Sequence, residues 1–260
     1  MTAKSFRKGR TAMLRETDRK AGENGKDYAY RVIRSNIMDL TLVPGRAISE
    51  IELAAALQLS RTPVREVMSR LKEEYLVDVI PQVGTYVSKI DAQLIEEAAF
   101  MRLNLEQEVL RLVCGNLSSD ILLELRHNLQ QQEDVRDHAA GAAAFHELDN
   151  AFHRLMFRGC GKEHVWDSIT RLSTHYNRMR LLFETEHPFD EAIEQHRQWI
   201  ELIAEGRVDE VEGAVHEHIR QPILHWKTLL GSDDRYSGFF KTSDVFEVAA
   251  SDGLAPRNAL

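Results

Sequence analysis

The chain has 260 residues, 43% of them hydrophobic, with 33 basic and 41 acidic side chains and a formal net charge of −8. That length can hold a small domain plus a larger one, each with its own core. No apolar run approaches the roughly 18 to 20 residues of a membrane span, the basic N-terminus lacks a signal-peptide core, and the only two cysteines, Cys114 and Cys160, read as free thiols rather than as a disulfide or a metal pair. A cytoplasmic protein is the expectation.

The charge is unevenly divided. Residues 1–90 carry 16 basic and 11 acidic side chains, whereas residues 91–260 carry 17 and 30, so a polyanionic partner suits only the N-terminal end. Residues 1–26, with 8 basic and 3 acidic side chains, are expected to be a flexible basic tail, which leaves residues 27–90 neutral. Tyr30, Ile33, Ile37 and Leu40 then predict an amphipathic helix, closed by the Leu-Val-Pro-Gly break at 42–45. Ser49 with Glu52 forms a capping box opening a second short helix through Leu53, Ala54 and Leu57. After the short turn Gln58 to Ser60, a third helix places Val64, Val67, Met68 and Leu71 at core spacing. Its other face carries Arg61, Arg65, Ser69 and Lys72, with Ser60 or Thr62 able to cap it and Pro63 in its first turn. Leu76 to Ile80 and Thr85 to Val87 predict a hairpin whose tip is Gln82 to Gly84. Three helices and a hairpin make a winged helix. An arginine fork matches guanine O6/N7 or phosphate, so the third helix suits a major groove.

These residues carry a family resemblance. Pro44-Gly45, Ile48-Ser49-Glu50, Leu53-Ala54 and the run Ser60 to Met68 resemble the pattern of the GntR superfamily of bacterial transcriptional regulators over about Tyr30 to Val87. The resemblance implies a homodimer on double-stranded operator DNA with a short palindrome. It also implies base or phosphate contacts from Arg61 and Arg65, with Ser60 and Thr62 beside them and Gly84 on the wing. The chain departs from the pattern at Gln58 and Tyr75, where the family usually has glycine, and at Ile51, where an arginine often helps to read DNA.

Beyond Ile90 the texture is helical. Helices are expected over about 91–115, 119–137, 140–158, 162–185, 189–205 and 209–229, with residues 231–260 a flexible tail in which a docked segment has room. All eleven histidines lie between His127 and His225. Asp149 falls on the apolar stripe of Phe145, Phe152 and Met156, with His153 one turn on. His196 lies among Ala192, Ile193, Trp199 and Ile200, and His218 continues Val211, Ala214 and Val215, whereas His216 turns outward. Each inward histidine alone could be a hydrogen-bonded core residue. Converging, three imidazoles and one carboxylate would suit Zn, Ni, Co or Mn. Pro222 removes the N–H that would bond the His218 carbonyl, predicting a kink beyond that residue.

Asp149-x3-His153, His196 and His218 resemble the metal-ligand pattern of the FCD effector domain of FadR-like GntR regulators, over about 91–230. The fold implied is mainly α, with an N-terminal winged helix-turn-helix followed by an all-α FCD-type bundle that dimerises, holds a metal and through it binds a small carboxylate such as a sugar acid or organic acid. Arg102, on the stripe of Ile95, Ala98 and Ala99, needs an anion if buried. Glu106 one turn away could supply it structurally; by resemblance Arg102 is a fork for the effector carboxylate. His175, Asn177, Arg178 and Arg180 are further pocket candidates among which periodicity does not choose. Two other functions fit parts of the pattern: a metallohydrolase built on the three-histidine, one-aspartate site, and a DNA-binding protein that ignores small molecules.

Overall fold

The computed structural model describes residues 14–15, 17–136, 141–186, 189–232 and 234–241. The chain divides into two compact units, through Ser88 and from Lys89.

In the first unit, α1 (Gly25–Met38), α2 (Glu50–Ala56) and α3 (Arg61–Glu73) pack with a three-stranded antiparallel sheet of order β1-β3-β2, made of β1 (Ala47–Ile48), β2 (Val77–Ile80) and β3 (Gly84–Val87). The short β1 carries no sequence signal; it exists because Ala47 and Ile48 pair with Tyr86 and Thr85. The third-helix stripe is buried as expected, Val64, Val67 and Leu71 completely, against Ile33, Ile37 and Leu53. Ser49 caps α2, its hydroxyl accepting the Glu52 N–H at 3.4 Å. The first helix ends at Met38, and Leu42 rather than Leu40 fills the core below it. Gln58 and Tyr75, the two positions where glycine is the family habit, have φ of 54° and 58°. That left-handed conformation strains a side chain with a Cβ.

The tail expected to be flexible through residue 26 is tethered at a few points, although most of its described residues are exposed. Leu14 is buried, Asn36 brackets Arg15 by accepting its N–H at 2.7 Å and donating to its carbonyl at 3.1 Å, and Arg31 grips Glu23 with two bonds of 2.7 Å. Buried polar partners rather than apolar periodicity hold this segment, and for that reason composition alone misses it. Residues 1–13 and 16 lie outside the described residues.

The second unit is all-helical: α4 (Ala92–Val113), α5 (Ser119–Val135), α6 (Gly141–Gly159), α7 (Glu163–Leu172), α8 (Thr174–Glu186), α9 (Asp190–Glu205) and α10 (Val211–Ser232). The single helix expected over 162–185 is two helices. The Ser173 backbone closes α7, its N–H donating to the Ile169 carbonyl, and opens α8, its carbonyl accepting the Asn177 N–H, both at 2.9 Å; its buried hydroxyl makes no hydrogen bond among the described residues. Gly115 and Gly206, both at φ 69°, let the chain after α4 pass the end of α9: a Cβ on Gly115 would stand 3.5 Å from the Gly206 Cα.

A docked segment, for which the C-terminal tail has room, is seen at residues 239–241. Phe240 is buried, stacks on Trp226 at 5.1 Å and forms a parallel bridge with Ile90. Lys241 pairs with Asp91 at 2.8 Å. Residues 233 and 242–260 lie outside the described residues.

Candidate metal centre and nucleic-acid interface

The nucleic-acid candidates lie on the first unit, at the start of α3 and at the hairpin tip. Ser60 occupies the N-cap position, yet neither it nor Thr62 makes a capping side-chain bond, so both hydroxyls stay available beside the open N–H groups of the first turn. Ser60, Arg61, Thr62 and Arg65 are exposed. Arg65 makes one long contact, Nε to Glu50 Oε2 at 3.4 Å, which leaves its terminal nitrogens clear to form a fork. On the wing, Gln82 and Gly84 take φ of 61° and 155°, and residues 81–84 are exposed. Ile51 is exposed at 58% and offers no hydrogen bond to a base.

In the second unit, Asp149 and His153 from α6, His196 from α9 and His218 from α10 are all buried, and their ligand atoms lie within 4.8 Å of one another. Asp149 Oδ1 is 3.5 Å from His196 Nε2 and 3.8 Å from His153 Nε2. The His153 and His218 Nε2 atoms approach to 3.2 Å. The opposite nitrogen of each ring faces an oxygen: His196 Nδ1 meets Gln132 Oε1 at 2.7 Å, His218 Nδ1 meets Gln195 Oε1 at 2.8 Å, and His153 Nδ1 meets Glu106 Oε2 at 2.9 Å. The acceptors on His196 and His218 keep the proton at Nδ1, and the Glu106 carboxylate beside His153, close but not aligned as a hydrogen bond, favours the same tautomer, so each Nε2 turns a lone pair inward. Two lone pairs at 3.2 Å repel, and the buried His196 Nε2 has no hydrogen-bond partner. A divalent ion satisfies all three nitrogens at once, and the donor set fits Zn, Ni, Co or Mn.

Charge supports the same arrangement. Burial pushes the His196 imidazole down to about 3 and, with the neighbouring rings, holds His218 well below its ordinary value. Both imidazoles are therefore neutral at pH 7. Burial would raise the Asp149 carboxyl, but Arg180, bonded to both of its oxygens at 2.9 Å, holds it well below the carboxylate range. Burial works against Glu106 too, and Arg102, at 2.5 Å, together with His153 brings it to about 2. Glu184, which takes an Arg180 bond at 3.0 Å, is pushed up to about 7 by burial against that guanidinium.

Arg102 is fully buried and paired with Glu106, the structural partner foreseen for it, while its Nη2 stands 3.5 Å from the ligand atom of His153. Of the four undecided candidates on α8, Arg180 reaches the centre; His175 instead accepts the backbone N–H of Asp91 at 3.0 Å and lies beside Arg178. Sequence reasoning missed Gln132, Gln195 and Glu184. Gln132 had a signal, since it continues the buried stripe of Leu125 and Leu129; Gln195 and Glu184 had none. A cavity of about 40 Å³ adjoins His218 and is lined by Arg180, Glu184, Gln195 and Pro222, the proline lying inside α10 one turn beyond the ligand.

Comparison with known proteins agrees with this division. Residues 26–87 match the model of the bacterial regulatory proteins of the gntR family, and residues 97–221 match the FCD domain. An uncharacterized HTH-type transcriptional regulator in an unstable DNA locus of Streptomyces ambofaciens is 34% identical over 202 residues, covering 76% of this chain and 84% of its own. The HTH-type transcriptional repressor RspR of Escherichia coli K12 is 30% identical over 193 residues, covering 74% and 84%. In fold, the chain is similar to E. coli McbR/YncC, with a TM-score of 0.68 at 18% identity over 80% of this chain and 99% of that one. Among the described residues no helix is long and apolar enough to cross a membrane. The chain therefore belongs to the gntR family of bacterial regulatory proteins, a winged helix-turn-helix followed by an FCD domain, and is a transcriptional regulator rather than an enzyme.

Proposed function

We propose that this regulator acts in the cytoplasm as a homodimer on a short palindromic operator, holds one divalent transition-metal ion per chain at Asp149, His153, His196 and His218, and changes its operator affinity when a small carboxylate binds that centre. Repression is the favoured direction, by similarity to RspR. Arg61 and Arg65 carry the DNA contacts, with Ser60, Thr62 and the wing at Gly84 on neighbouring phosphates. The observation that carries the metal reading is the inward set of three Nε2 atoms, each ring backed at Nδ1 by an oxygen.

The effector class follows from charge. Without an ion, the buried guanidinium groups of Arg102 and Arg180 balance the carboxylates of Glu106 and Asp149. With Glu184, bonded to Arg180 and poised at about 7, as a further acidic group, a bound divalent ion would leave that interior about one to two charges positive, which favours an anion. A carboxylate held at the centre beside His153 would meet Arg102 Nη2, and a sugar acid or organic acid is the effector class that the FCD resemblance implies.

Arg102→Lys tests the assignment better than alanine does, because alanine would strand the buried Glu106. The lysine variant should keep one metal per chain and operator binding while losing the carboxylate fork. Calorimetry with candidate acids, in the presence and absence of operator, should show weakened binding in the variant, and linkage requires operator and effector to alter each other's affinity by the same factor. Operator binding in wild type that ignores every acid tried would favour the effector-independent alternative.

A further inference from the structure

One helix touches both the metal centre and the start of the second unit. Within six residues of α8, Arg180 holds both oxygens of Asp149 at 2.9 Å, Tyr176 donates its hydroxyl to the carbonyl of Ile219 at 2.9 Å, one residue beyond the ligand His218, and His175 accepts the Asp91 N–H at 3.0 Å. Asp91 is the N-cap of α4, its side chain accepting the Gln93 N–H at 2.9 Å. As an N-cap residue its own N–H has no partner inside the helix. It lies three residues after Ser88, where the DNA-binding unit ends.

The same short stretch is held from another side. Ile90 donates to the Phe239 carbonyl at 2.8 Å and accepts the Lys241 N–H at 2.9 Å, while Lys241 Nζ pairs with the Asp91 carboxylate. The linker thus has a fixed anchor at 239–241 and a second anchor on α8.

We propose that His175 is a positioning residue that ties the state of the metal centre to the order of the linker at Asp91, and through it to operator affinity. This rests on the metal reading above. An ion on Asp149 would compete with Arg180 for the carboxylate that the guanidinium holds by both oxygens, which would pull on Arg180 and the end of α8 that bears it. An α-helix moves as a rigid rod over the roughly 7.5 Å between residues 175 and 180. The acceptor at His175 moves with it, and the Asp91 hydrogen bond changes.

The test is hydrogen exchange on full-length protein, first stripped with chelator and then loaded with zinc, followed in peptides spanning residues 88–94. Zinc should change exchange at the Asp91 amide at least threefold in wild type. His175→Ala should bind one zinc per chain yet show no zinc dependence at Asp91 and the same operator affinity with and without zinc. His175→Asn, whose Oδ1 falls where the imidazole Nδ1 stood, should restore both responses. Wild type that takes up no zinc overturns the metal reading and this linkage with it. Zinc uptake with unchanged exchange in wild type overturns the linkage alone, and zinc-dependent exchange that survives in His175→Ala overturns the role of His175. The wild-type comparison needs no variant to fold.

Discussion

Stripped of metal, the helical unit should lose stability between pH 7 and pH 5, and Glu184→Gln should increase that loss by about 2 kcal/mol. His196 is held at about 3 and His218 well below its usual range, against an ordinary value of 6.5 that both regain on unfolding. A histidine depressed in the folded state contributes stability that is complete above 6.5 and is lost as pH falls, because the unfolded chain takes the proton first. Over this interval His196 loses about 2 kcal/mol, and His218 loses stability in the same sense. Glu184 works in the opposite sense. Its folded value of about 7 lies above the ordinary 4.5, so the folded state takes that proton first and gains about 2 kcal/mol over the same two pH units. The difference is the predicted net loss, and removing the titrating carboxyl exposes the full histidine contribution. Asp149 and Glu106, both held low, matter only at more acidic pH. Urea unfolding followed by tryptophan fluorescence is the assay, since Trp166, Trp199 and Trp226 are the only tryptophans and all lie in the second unit. Stability that is flat from pH 7 to pH 5, or an identical slope in Glu184→Gln, would refute the assignment of buried neutral imidazoles.

Arg65→Ala should weaken operator binding by roughly 1 to 3 kcal/mol and relax specificity at one base position, if it reads a base rather than a phosphate; titration against single-base operator variants distinguishes the two. His196→Ala and His218→Ala should each lose the metal by elemental analysis, whereas His216→Ala, two residues from a ligand but exposed, should keep it; equal loss in the His216 variant would sink the ligand set. Tyr75→Gly and Gln58→Gly should each stabilise the winged unit by about 0.5 to 1 kcal/mol, the left-handed strain relieved minus the added chain entropy of glycine. Slower hydrogen exchange in α3 is the expected sign, and faster exchange would mean that the side chains contribute more than the strain costs.

Local chemistry in the sequence determined the winged unit almost completely. The stripe of Val64, Val67 and Leu71, the Ser49 cap and the hairpin breakers act over a few residues, so their consequences survive without knowledge of the rest of the chain. The four residues of the proposed centre were legible for a similar reason, since a polar residue on an apolar stripe must point into the core whatever it meets there. What it meets was decided by the tertiary structure. Gln195 backs His218 and Arg180 clamps Asp149 across 23 and 31 residues of chain, and pairing over such separations leaves no periodic trace. The break at Ser173 and the docking of Phe240 on Trp226 have the same origin: each depends on a surface that exists only once the other helices have packed, which no local propensity encodes.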